Sequence, residues 1–339
     1  MKKTCFILIL GLIYCYGVQA QNGMMVVDTI HSKHLENEFG EPESRPVSVY
    51  LPPGYTENKQ QYPVIYFLHG FNGDHKMDFM VDVLDYAINQ KRIRPFIMVF
   101  PNHKTAYGGS FYTNSALYGN FEDFTAYDVV AHIDTKYRTI PAKESRGITG
   151  HSMGGYGAIQ LAVHHPDLFS TIYAISPGAL AIVREYGPNS NTFKEVSASK
   201  TVEELQATYF GGVMLAFGRS WSPNKDKAPF YCDFPFSYEN NELTVHQEVL
   251  KKWQSAMPYY TVEKDLENYQ KLKAIKLDWG RNAGDRFTIQ CSMYSQRLEN
   301  AGITHFAEEY IGTHVSDIYT KKGRIPQQVL PFFDEYLNF

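Results

Sequence analysis

Short, nearly unbroken apolar runs recur along the first half of the chain: "RPVSVYLPPGY", "YPVIYFLHG", "RPFIMVFPN", "SRGITGHS" and "STIYAISPG". The first is rich in β-branched and aromatic residues and stops at Pro52-Pro53-Gly54, as a strand followed by a turn does. Runs without polar alternation suit strands covered on both faces, the arrangement of parallel sheets. Between them, residues 79–89, 121–137 and 156–164 carry apolar side chains at helical spacing. Strands alternating with helices predict an α/β architecture: a mostly parallel central sheet with helices on both faces. The rhythm breaks over residues 179–262, which are long, patchily polar and rich in aromatics. A structureless loop of that length is implausible, so helices are expected there too. Alternation then resumes: "LKAIKLDWG" as a strand, 288–301 as a helix, "THFAEEYIG" as a strand and 327–337 as a closing helix. No repeat, low-complexity segment or charge run interrupts this order. It predicts one domain over 21–339 with an insertion at about 179–262.

The first twenty residues stand apart. "MKKTCFILILGLIYCYGVQA" joins two lysines to an apolar run and ends in small residues at Val18 and Ala20, the pattern of a secretory signal peptide cleaved after Ala20. The apolar run is shorter than a bilayer-spanning helix needs, so no stable membrane anchor is expected and the product is secreted or periplasmic. Loss of Lys2 and Lys3 takes the net charge from −4 to −6. That acidity argues against a nucleic-acid partner. Of the four cysteines, Cys232 and Cys291 remain after cleavage. Export permits a disulfide, but two cysteines so far apart in sequence favour separate buried thiols.

The chemistry concentrates in "GITGHSMGGYGAIQLAVHHP". Gly150-His151-Ser152-Met153-Gly154 is a G-x-S-x-G segment with a predicted strand before it and a helix after it. Such an elbow holds its serine on a strained turn above the sheet, and glycines clear the space around it. Ser152 is therefore the candidate nucleophile. A serine hydroxyl needs a base to take its proton and a third group to orient that base. On this architecture the order is serine, acid, histidine. "LDWGRNAGDRF" offers Asp285, beyond the C-terminal end of a late strand, and Asp278, within the strand. Functional groups collect at those ends, which favours Asp285. His314 follows the last predicted strand at the same end and is the candidate base. His305 opens that strand and His246 lies in the insertion. His69, His151, His164 and His165 read as structural. Acyl chemistry also needs donors for a developing oxyanion. The expected donors are the backbone N–H of Met153, after the nucleophile, and that of Phe71, in the turn ending "YFLHGFNGD".

The segments "VSVYLPPGY", "YPVIYFLHG", "ITGHSMGGYGAIQLAVHHPDLFS", "DRF" and "GTH" together resemble the secreted esterases of the α/β-hydrolase superfamily. These are similar to esterase D, to feruloyl and acetylxylan esterases and to antigen-85 acyltransferases. The resemblance runs from about Ser32 to the C-terminus. It implies the α/β-hydrolase fold, and Ser152, Asp285 and His314 as nucleophile, acid and base. Family members often have a shorter gap between glycine and acid than Gly280 to Asp285, which keeps Asp278 as the alternative.

These features predict a serine carboxylesterase working through an acyl-enzyme, without a cofactor. No metal-binding or nucleotide-binding fingerprint is present in the sequence. Export, the resemblance and the aromatic insertion point to an acyl group on a carbohydrate, such as a feruloyl or acetyl ester. Trp221, Phe230 and Tyr231 are the candidate substrate-binding residues, with a satellite core beneath the insertion as their alternative role. Acyl transfer to an alcohol or siderophore-ester hydrolysis would use the same triad. A binding protein that had lost catalysis would break it.

Overall fold

The computed structural model describes residues 22–339, so the segment expected to be a signal peptide lies outside the described residues. Eight strands form the central sheet: β1 (Met24–His31), β2 (Ser44–Leu51), β3 (Val64–Leu68), β4 (Ile97–Pro101), β5 (Arg146–His151), β6 (Thr171–Ile175), β7 (Ala274–Gly280) and β8 (Phe306–Tyr310). Their spatial order is β1-β2-β4-β3-β5-β6-β7-β8. The pairs β1/β2 and β2/β4 are antiparallel, and every pairing from β4 onward is parallel.

The unbroken apolar runs have a direct cause in this sheet. Successive side chains on a strand point to opposite faces. Val64, Tyr66 and Leu68 of β3 enter one hydrophobic cluster, and Ile65 and Phe67 enter the other. Ile97 and Val99 divide from Met98 and Phe100 on β4 in the same way, as Ile172 and Ala174 divide from Tyr173 and Ile175 on β6. Helix α1 (Val81–Asn89) and the C-terminal helix cover one face. Helices α2 (Val130–Lys136) and α3 (Met153–His164) cover the other. Every strand expected from the sequence is present. β1 was not foreseen: it is an antiparallel edge strand with several exposed side chains, so it carries no continuous apolar signal.

Between β6 and β7 the chain forms helices α4 (Asn191–Ala198), α5 (Tyr209–Trp221) and α6 (Gln247–Ala256), with a small ribbon of Phe236–Glu239 paired to Glu242–Val245. Phe193, Phe217, Trp221 and Trp253 from this segment join the same cluster as β3 and α3. The segment therefore packs on the sheet's own core. Cys232 and Cys291 are both buried and free.

Candidate active site

Ser152 lies between β5 and α3 with φ 61° and ψ −115°, a conformation rarely adopted by a side-chain-bearing residue. Three backbone bonds over-determine it. Its N–H donates to Ile175 O at 3.0 Å, and its carbonyl accepts from Gly178 N–H and Tyr156 N–H, both at 3.1 Å. The elbow also needs Gly154. A Cβ there would sit 1.9 Å from the Leu68 carbonyl oxygen at the end of β3. The G-x-S-x-G pattern thus reflects close approach of α3 to the neighbouring strand.

His314 is carried by the loop after β8. Its Nε2 lies 2.9 Å from Ser152 Oγ. That loop is bound to the end of β7: Arg281 N–H donates to Tyr310 O and Asn282 N–H to Gly312 O, each at 2.8 Å. Gly280 permits the approach, since a Cβ there would meet the carbonyl oxygens of Gly312 and Thr313 at 2.4 Å. His151 holds the histidine's backbone from below, its Nε2–H donating to His314 O at 2.8 Å. Phe287 stacks on the His314 ring with centroids 3.7 Å apart and planes 18° from parallel. Burial, with His151 and the Arg286 guanidinium adding to it, pushes the His314 imidazole down to about 2.

An imidazole accepting from serine at Nε2 carries its own proton on Nδ1. In His314 this buried group has no partner among the described residues. The hydrogen bond expected from Asp285 is not formed here. Asp285 opens helix α7 (Asp285–Asn300), and its exposed carboxylate pairs with the Arg184 guanidinium at 3.0 Å. The reason is helical geometry. Residues two apart on a helix do not share a face, and Phe287 takes the side toward His314. Asp278 is committed elsewhere: it is fully buried, accepts from Tyr173 Oη at 2.8 Å and pairs with Arg324 Nε at 2.7 Å.

The residues expected to donate to an oxyanion, Phe71 and Met153, line one cavity with Ser152. Met153 is the first residue of α3, where N–H groups have no acceptor within the helix. The Phe71 N–H makes no hydrogen bond among the described residues, whereas its neighbour Asn72 donates to Gly108 O. The peptide carrying the Phe71 N–H is fixed through its other end. Gly70 O accepts from His69 Nδ1–H and from Gly73 N–H, each at 2.9 Å. Because the peptide is planar, fixing that oxygen also fixes the direction of the N–H. The His69 tautomer is set in turn, because Nε2 accepts from His103 N–H at 2.9 Å. Burial pushes both His69 and His151 down to about 4, so both are neutral at pH 7. Their place in the sequence marked them as structural; only the fold reveals that they hold the turn at Gly70 and the His314 backbone.

A cavity of about 20 Å³ remains beside Ser152, lined by Phe71, Phe111, Met153, Tyr209, Val213 and Phe217 among others. That is room for roughly one water. The three residues expected to bind substrate are not in this lining, and Phe230 instead borders a separate groove of about 630 Å³. Trp221 is buried in the core, stacked on Phe217 at 4.2 Å and edge-on to Trp253. Phe230 packs edge-on to Phe234, and Tyr231 packs edge-on to Phe39. From the insertion, the cavity wall uses Tyr209, Val213 and Phe217, which share one face of α5.

Comparison with known proteins bears on the fold and the family. A mycobacterial esterase (Mycobacterium tuberculosis) is 30% identical over 148 residues, covering 42% of this chain and 30% of that protein. An endo-1,4-beta-xylanase/feruloyl esterase of Xylanibacter ruminicola is 30% identical over 148 residues, covering 39% of this chain and 19% of that protein. The matched stretch is thus less than a third of either relative's length. Among solved structures, a ferulic acid esterase superposes with a TM-score of 0.64 at 21% identity, covering 94% of this chain and 100% of that one. An S-formylglutathione hydrolase from Agrobacterium tumefaciens gives 0.61 at 16%, covering 94% and 97%. At such identities the superpositions speak for the fold, which is that of the α/β-hydrolases. The family described as "Putative esterase" matches residues 41–322, and with most of its length inside that match the chain belongs to this family.

Proposed function

We propose that the protein is an exported serine carboxylesterase that cleaves acyl esters of carbohydrate through an acyl-enzyme. The observation that carries this reading is the 2.9 Å contact between Ser152 Oγ and His314 Nε2 at a strained strand-to-helix elbow. Ser152 attacks the ester carbonyl while His314 takes its proton. The oxyanion develops toward the N–H groups of Phe71 and Met153. His314 then protonates the departing alcohol, and water activated by the same imidazole releases the acid.

The acid of the triad is Asp285 in this proposal. An imidazole held near 2 is too weak a base at neutral pH. A carboxylate at Nδ1 would raise it and accept its orphaned proton. Asp278 is already engaged by Arg324 and Tyr173. Asp285 has only an exposed arginine to leave, and it sits two residues from the ring that packs on His314. Rearrangement of the first turn of α7 would bring it to Nδ1.

The experiment is hydrolysis of a short activated aryl ester by the protein and by Ser152→Ala. Turnover should fall by about three orders of magnitude or more in the variant. Equal rates would refute Ser152 as nucleophile. Comparing feruloyl, acetylated-carbohydrate and plain aliphatic esters then tests the substrate class, and equal rates on all three would sink the carbohydrate assignment.

A further inference from the structure

Among the described residues the central sheet ends in two strands paired on one side only, β1 and β8, and the two edges are unlike. β8 has five residues. Two of them are Glu308 and Glu309, which pair with Lys276, Arg281 and Arg324. Charges along an edge keep it from adding a further strand. β1 has eight residues, "MMVVDTIH", contains no proline and holds unbroken register with β2. Its one carboxylate, Asp28, is buried and held by His132 and Lys136 of α2. A long edge strand with no outward charge is a template for another strand.

The ladder shows which backbone groups face the open edge. Ser32 N–H donates to Glu43 O at 3.0 Å, one step beyond the His31–Ser44 pair and in the same register. In an antiparallel ladder every second residue bonds to the partner strand. Met24, Val26, Asp28 and Ile30 therefore bond to β2, and Met25, Val27 and Thr29 turn their N–H and C=O groups outward. Pro46 agrees with this phase, since it lies opposite Thr29, where β1 requires no N–H from β2. The outward groups of Met25, Val27 and Thr29 have no hydrogen-bond partner among the described residues. The Val27 side chain is 55% exposed.

A second copy of the chain meets these demands. Two strands related by a two-fold axis normal to the sheet run antiparallel, with facing residues on the same side. An axis through Val27 sets Met25 opposite Thr29 of the second copy and Val27 opposite its own counterpart. All three outward residues then exchange hydrogen bonds, and two exposed valines cover each other. Asp28 faces Val26 of the second copy. An axis through Asp28 would oppose two carboxylates, and one through Thr29 would set Val27 against His31. We infer that β1 is a self-association edge, at which two copies of this chain join antiparallel about Val27 into one continuous sheet.

The test is sedimentation equilibrium across micromolar concentrations on the native protein, on Val27→Lys, on Val27→Glu and on an equimolar mixture of the two variants. The native protein should dimerise. Each variant places like charges directly opposite each other, so its dimer Kd should rise at least about tenfold. The mixture should recover the dimer, because lysine then faces glutamate. Three strands separate β1 from β5, which leads into Ser152, so unchanged hydrolysis of an aryl ester reports that the variants fold. Should they not fold, amide exchange of the native protein decides: the Met25, Val27 and Thr29 amides should exchange about tenfold more slowly in concentrated than in dilute solution. A native monomer at every concentration overturns the inference. So does a folded Val27→Lys protein that dimerises as tightly as the native one, a mixture that stays monomeric, or exchange of those amides that does not depend on concentration.

Discussion

Replacing His151 with glutamine isolates one titrating group beneath the active site. His151 donates from Nε2 to the His314 carbonyl, and burial pushes its imidazole down to about 4, against 6.5 in an unfolded chain. The folded protein thus refuses a proton that the unfolded chain accepts. Above pH 6.5 neither state is protonated and the group costs nothing. As pH falls from 6.5 toward 4 the unfolded state gains protons first, and stability is lost. Linkage gives a loss of ~2 kcal/mol from this residue between pH 7.5 and pH 5. Glutamine does not titrate, and its amide N–H can reach the same carbonyl. Any cost of the altered shape is present at both pH values and cancels in the comparison. Equilibrium urea unfolding at pH 7.5 and pH 5 is the assay. The stability gap between native and His151→Gln protein should shift by ~2 kcal/mol in the variant's favour at the lower pH. His69, held near 4 by the same burial, destabilises both proteins equally and drops out. A gap that does not change with pH would show that His151 is not a buried neutral donor, and the account of how His314 is positioned would fail.

Gly154→Ala places a methyl 1.9 Å from a backbone oxygen that no rotamer change can move. It should cost about 3 kcal/mol or more and lower Tm by roughly 5 °C or more, with activity lost as the elbow shifts; native-like melting would refute the close-approach argument. Asp285→Asn should reduce kcat by about three to four orders of magnitude while leaving Tm nearly unchanged, because its pair with Arg184 is exposed. Asp278→Asn should instead destabilise by roughly 3–5 kcal/mol, since it strips a buried partner from Arg324. A well-folded, inactive Asp278 variant beside an active Asp285 variant would reverse the assignment of the acid. Across aryl esters from acetate to octanoate, kcat/KM should fall at least about tenfold, because the cavity at Ser152 holds roughly one water before its aromatic walls must move; activity rising with chain length would refute the small acyl site.

The local pattern of the chain was enough to determine its architecture. Both faces of a parallel strand are covered, so β3, β4 and β6 appear in the sequence as solid apolar runs, and crossover helices separate them. The strand-to-helix elbow at Ser152 was legible for the same reason: its glycines answer a steric demand at fixed spacing from Ser152. His314 was legible because the sheet gathers strand ends on one side, and the fold indeed brings it to Ser152. Other features depend on contacts between distant segments, which local patterning does not encode. β1 is held by pairing with β2 along an edge and needs no apolar run of its own. The aromatic side chains of the insertion look alike in sequence, yet packing sends Trp221 into the core and leaves Tyr209 at the mouth of the cavity. The roles of His69 and His151 follow from a carbonyl one residue away and a carbonyl 163 residues away. Asp285 stands where the sequence put it, at the end of β7. Which way its carboxylate faces was decided by the register of α7, which gives Phe287 the side toward His314 and turns Asp285 to Arg184.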